Sequence, residues 1–140
     1  MTGAAIAAAA AALVGTPYRA GGRAPGHGLD CLGVVLAALR GAGIAAAEMP
    51  SPPGWRQTAI DEWLGRAAQV GLRPASGAPI PGDVLLVASG PGQHHLLIVG
   101  PAGDSCISAH AGLGQVVASP LPAPATLRRH WRMADNKDSG

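Results

Sequence analysis

An α+β fold, with N-terminal helices packed on a C-terminal antiparallel β-sheet, is what this 140-residue sequence predicts. Two observations carry that reading. Helical periodicity of apolar residues is confined to the first half of the chain. The second half consists of short apolar runs, rich in Val and Ile, separated by Gly and Pro turns. Helices first and hairpin-linked strands second is the pattern of a sheet with its helices segregated to one face. The length suits one domain with a real core. We place that domain at 1–134 and expect 135–140 to be a disordered tail. No internal repeat is visible.

The elements follow in order. Residues 3–14 are mostly Ala with Ile6 and Leu13, and Ala is the strongest helix former, so a first helix is expected, stopped by Gly15 and Pro17. The stretch is too short to span a bilayer. It lacks the positive leader of a signal peptide, the first basic residue being Arg19, and it reads as a packed helix. Residues 16–29 form a Gly-rich loop around Tyr18, the only tyrosine. A second helix runs from Cys31 to about Arg40, with Asp30 as N-cap and Gly41 and Gly43 at its end. Residues 44–56, with Pro50, Pro52, Pro53 and Gly54, make a surface excursion. A third helix is expected from about Gln57 to Val70, with Ile60, Trp63, Leu64, Ala67 and Ala68 on its buried face. Residues 72–82 form a linker ending in Pro81-Gly82. Strands are expected at 83–88, 94–99, 105–109 and 115–119. A last one, anchored by Trp131, is expected at 127–133.

Composition narrows the function. The net charge of +2 comes from nine Arg and one Lys scattered along the chain, which is no nucleic-acid footprint. No segment predicts a membrane span. Two cysteines, Cys31 and Cys106, do not make a disulfide framework, and free thiols are the default. No Cys-x-x-Cys or His-x-x-x-His spacing occurs, and adjacent strand residues cannot chelate one ion, so neither a metal nor another cofactor is expected.

The chemistry gathers at Gly28-Leu29-Asp30-Cys31-Leu32-Gly33. A thiol at the first residue of a helix feels the positive end of the dipole, which favours thiolate, the nucleophilic form. The bland alternative is a small buried apolar cysteine. A thiolate nucleophile needs a base distant in sequence and near in space. His94 and His95 are adjacent on one strand, so only one of them can face the cysteine helix. Ser108 and His110, two residues apart on the next strand, share a face, and either could orient the base. The backbone N–H of Cys31 would contribute to an oxyanion hole.

These residues resemble the NlpC/P60 cysteine peptidases, which have a papain-like fold. The matching pieces are Gly15-Thr16-Pro17-Tyr18-Arg19 with Gly21-Gly22-Arg23, then Leu29-Asp30-Cys31-Leu32-Gly33, then Pro81-Gly82-Asp83-Val84. The strand from His95 to Val99 and the segment from Ile107 to Gly112 complete the order. The Asp-Cys-Leu-Gly variant, the Ser108-Ala109-His110-Ala111-Gly112 segment and the late Trp131-Arg132 resemble the single-domain peptidases of phage tails and gene-transfer agents. The resemblance implies hydrolysis of peptidoglycan stem peptides, typically after γ-D-glutamate, with Cys31 as nucleophile and Tyr18 and Asp30 at the substrate. Aligning Ile98 with the isoleucine of a His-Val-Gly-Ile pattern selects His95 as base. It also implies partners in a phage-tail-like particle, and a protein made in the bacterial cytoplasm that acts at the cell wall. Three departures stand out. Ser108 occupies the place of the family's orienting histidine, which bears on rate. Leu32 replaces a serine and Leu97 a small residue, which bears on substrate preference. A catalytically weakened tail component is the competing reading.

Overall fold

The computed structural model describes residues 2–19, 21–45, 67–90 and 93–133. The surface excursion after residue 45, most of the expected third helix and the expected tail lie outside the described residues.

Helix α1 spans Thr2–Ala11 and buries Ile6, Ala7 and Ala10. It ends a turn earlier than its composition suggests. Helix α2 spans Cys31–Gly41. Its apolar residues occur almost without interruption, so nearly its whole circumference is buried, from Cys31 through Leu39. The small residues between the two helices allow close approach, and a methyl group on Gly41 would lie 2.9 Å from the Ala9 Cβ. Burying Val35, Leu36 and Leu39, each 2% exposed or less, contributes roughly 1.5–3 kcal/mol per side chain.

Between the helices, β1 (Arg23–Ala24) and β2 (Gly28–Leu29) form a two-residue hairpin inside the expected loop. The main sheet contains β3 (Leu72–Pro74), β4 (Val84–Gly90), β5 (Gln93–Val99), β6 (Ser105–His110), β7 (Gln115–Pro120) and β8 (Leu127–Met133). Its order is β3-β8-β4-β5-β6-β7, and every described pairing is antiparallel. The chain therefore has N-terminal helices on an antiparallel sheet, as the sequence predicts. Strand β3 is the one strand of the main sheet that falls in an expected linker.

The sheet is apolar on both faces. One face, with Val84, Leu86, Leu96, Ile98, Ile107, Ala109, Val116 and Trp131, joins the helices in the main core. The other carries Leu85, Val87, Leu97, Val99 and Cys106, partly covered by Leu121 and Leu127. No helix among the described residues is long and apolar enough to cross a membrane.

Asp83, just before β4, ties the sheet edge together. Its carboxylate accepts bonds from Arg132 Nε and Nη2, both at 2.9 Å, from the Ile80 N–H at 2.9 Å and from His130 Nε2 at 2.6 Å. Burial would raise this carboxyl, but the bonds from Arg132, His130 and Ile80 together hold it below its ordinary value.

Candidate active site

Asp30 caps α2 as the sequence predicts. Its Oδ1 accepts from the Gly33 N–H at 2.8 Å, and its Oδ2 accepts from the Gly21 N–H at 3.1 Å. One carboxylate thus fastens the glycine loop to the first turn of the helix. The Gly33 N–H and the Gly22 carbonyl explain the glycines of the motif. A methyl on Gly33 would run into the Gly22 carbonyl oxygen. The loop can lie against the helix start only because Gly33 lacks a side chain.

Cys31 is the first residue of α2 and is 3% exposed. It belongs to the main core together with Leu96, Ile98, Ile107 and Ala109, where α2 crosses β5 and β6. Tyr18 packs against the same cluster. Burial first, then the negative charges of Asp30 and of ionised Cys31, raise its phenol above the ordinary tyrosine value. Tyr18, Asp30 and Cys31 are therefore gathered at one place.

The histidines divide between the two faces of the sheet. The β4–β5 register is unbroken from Val84↔Ile98 to Ala88↔His94. Side chains alternate along such a strand. His94 therefore shares the face of Leu96 and Ile98, the face that joins the helices in the main core. His95, opposite Val87, shares the face of Leu97 and Val99. One histidine thus lies on each face of β5, as the sequence predicts.

Ser108 and His110 follow the face of Cys106, not that of Ile107 and Ala109. Ser108 is buried and pairs with Val117. His110 is exposed, and its Nδ1 accepts the Leu113 N–H at 3.0 Å. Burial and then the neighbouring His110 push the His95 imidazole below its ordinary value. By strand alternation His95, Ser108 and His110 share one face of the sheet, as the spacing suggests for Ser108 and His110. On the helix-facing side of β5, His94 Nδ1 is buried and has no hydrogen-bond partner among the described residues. Cys106 is buried, and burial pushes its thiol up to about 11.

The architecture is the NlpC/P60 papain-like fold. Among solved structures, the chain is similar to the peptidoglycan hydrolase RipB of Mycobacterium tuberculosis (TM-score 0.65, 21% identity, 96% of this chain and 65% of that one). It is similar to a lipoprotein-like NLP/P60-family protein of Staphylococcus aureus (TM-score 0.62, 22% identity, 96% of this chain and 42% of that one). It is also similar to the NlpC/P60 domain of the peptidoglycan hydrolase SagA (TM-score 0.58, 28% identity, 94% of this chain and 98% of that domain). The chain thus spans less than two thirds of the first two and nearly all of the SagA domain. No protein-family profile and no curated protein sequence matches it.

Proposed function

We propose that this protein is a cysteine peptidase of peptidoglycan stem peptides, cutting after γ-D-glutamate, with Cys31 as nucleophile and His94 as base. The observation that carries the reading is a cysteine at the first residue of a buried helix, on the sheet face shared by a β5 histidine. The NlpC/P60 fold and its hydrolase neighbours supply the substrate class.

In the reaction, the Cys31 thiolate attacks the scissile carbonyl carbon, and the oxyanion forms near the helix N-terminus, where backbone N–H groups point outward. Imidazolium at His94 protonates the leaving amine as the C–N bond breaks. Water, deprotonated by the same imidazole, then hydrolyses the thioester and releases the thiol. Tyr18 lines the approach. Asp30 holds the loop that carries it, a positioning task that fits its two backbone bonds better than direct contact with substrate. Peptidoglycan at the cell wall is the partner in this reading. Delivery in a phage-tail-like particle is the further step suggested by Asp30-Cys31-Leu32-Gly33.

The test is hydrolysis of a defined muropeptide. Cys31→Ala should abolish it. His94→Ala should lower kcat at least a hundredfold, and His95→Ala should lower it less than tenfold. Full loss with His95→Ala and none with His94→Ala would overturn the assignment of the base.

The orphaned Nδ1 of His94 favours a second reading, a weakened site that grips more than it cuts. An imidazole whose Nε2 is to act as base carries its proton on Nδ1, and that proton needs an acceptor. The β6 residues on its face are Ile107 and Ala109, which offer none. Under this reading wild-type turnover is slow, and Ser108→His does not restore it because that side chain lies on the other face.

A further inference from the structure

His110 is the exposed histidine at the end of β6, and its ring is engaged in a backbone bond. It opens the turn between β6 and β7. Its Nδ1 accepts from the Leu113 N–H at 3.0 Å, while its carbonyl accepts from the Gly114 N–H at 2.9 Å. Gly112 leaves room for the ring, since a methyl there would lie 3.1 Å from the His110 Cε1. The imidazole thus does for this turn what an Asp or Asn side chain does elsewhere, accepting a backbone N–H three residues on.

That turn is the seat of the strap formed by residues 15–19. The Gly114 carbonyl accepts the Tyr18 N–H at 2.9 Å. Gly15 N–H donates to the Val116 carbonyl at 2.9 Å, and Val116 N–H donates to the Thr16 carbonyl at 2.8 Å. Pro17 bridges to Gln115. On its far side the strap bonds to Leu29, which donates to the Pro17 carbonyl at 3.0 Å and accepts from Arg19 at 3.1 Å. Leu29 leads directly into Asp30 and Cys31. The strap therefore spans from the β6–β7 turn to the helix start, with the Tyr18 ring packed on the core cluster that holds Cys31.

We propose that His110 is a positioning residue: by closing the 110–114 turn through Nδ1, it fixes the Gly114 carbonyl that seats Tyr18 beside Cys31. Its task is at the substrate approach, not in proton transfer. The titratable group facing it from β5 is His95, and its partner on β7 is the neutral Gln115. The bearing on hydrolysis rests on Cys31 being the nucleophile; the placement of Tyr18 does not.

Because Tyr18 is the only tyrosine, its phenolate can be titrated by ultraviolet absorbance without interference from another phenol. The full chain is compared with His110→Ala and His110→Asn, the second restoring an acceptor. The wild type should titrate above the ordinary value of 10.0. His110→Ala should bring the midpoint back toward 10.0, and His110→Asn should keep it raised. In muropeptide hydrolysis, His110→Ala should raise KM several-fold and His110→Asn should restore it. An unchanged midpoint in His110→Ala would overturn the proposal. So would a midpoint lowered equally in His110→Asn, including the case where His110→Ala does not fold. If Cys31→Ala leaves hydrolysis intact while the titration behaves as stated, the catalytic reading fails and the role of His110 stands.

Discussion

Two buried cysteines on opposite faces of the sheet separate what position does from what burial does. Cys106 lies within β6 on the face away from the helices, and burial alone accounts for its raised value of about 11. Cys31 is as buried, yet it begins a helix, where the dipole favours the thiolate. Alkylation followed by peptide mass spectrometry at pH 7 to 8 should label Cys31 at least tenfold faster than Cys106. Equal rates would mean that the helix start confers nothing, and the nucleophile reading would lose its chemical basis. His94 and His95 teach the complementary lesson. The cap at Asp30 could be read locally, because a carboxylate before an apolar helix has its own grammar. The choice between two adjacent histidines could not, since it depends on which face of β5 meets α2. That is a tertiary fact, and Leu96, Leu97, Ile98 and Val99 conceal it by being apolar on both sides.

The loop-to-helix junction is a small element with its own mechanics. Asp30 supplies the cap, Gly21 and Gly22 supply the loop backbone, and Gly33 supplies the gap into which the Gly22 carbonyl fits. Gly33→Ala should therefore displace the loop that leads into the site, although alanine is the better helix former. Asp30→Ala should cost about 1 kcal/mol for the lost cap. It should cost a further ~1–3 kcal/mol for the Gly21 and Gly33 N–H groups left without an acceptor. Urea denaturation measures both, and a Gly33→Ala variant more stable than wild type would refute the close-packing account. The other elements differ in how plainly they announce themselves. Strands β4 to β8 are apolar runs between Gly and Pro turns and could be placed within a residue or two. Strand β3 is three residues, Leu72-Arg73-Pro74, with a proline at its end, and nothing in it asks for extended structure. It becomes a strand because it lies at the sheet edge, where the missing N–H of proline is tolerated and β8 offers a partner.

Acid should weaken the fold in two stages, because two groups, His95 and Asp83, resist protonation for different reasons. The His95 imidazole is held below its ordinary 6.5, first by burial and then by His110. A group whose folded value is depressed stabilises the fold above its unfolded value and loses that contribution as pH falls. The His95 contribution is thus present above pH 6.5 and fades below it. Asp83 is held below 3.8 despite its burial, by Arg132, His130 and the Ile80 N–H. Its contribution is present above pH 3.8 and is lost as pH falls further, when protonation releases the clamp that joins the start of β4 to β8. Urea midpoints followed from pH 8 to pH 3 should show a shallow decline beginning near 6.5 and a steeper one below about 4. His95→Asn should remove the first decline and leave the second. Asp83→Asn should lower stability throughout the neutral range, because it breaks the ion pair with Arg132, and should flatten the second. A first decline that persists undiminished in His95→Asn would place its origin elsewhere, and the burial of His95 would then carry no weight in the acid stability of the fold.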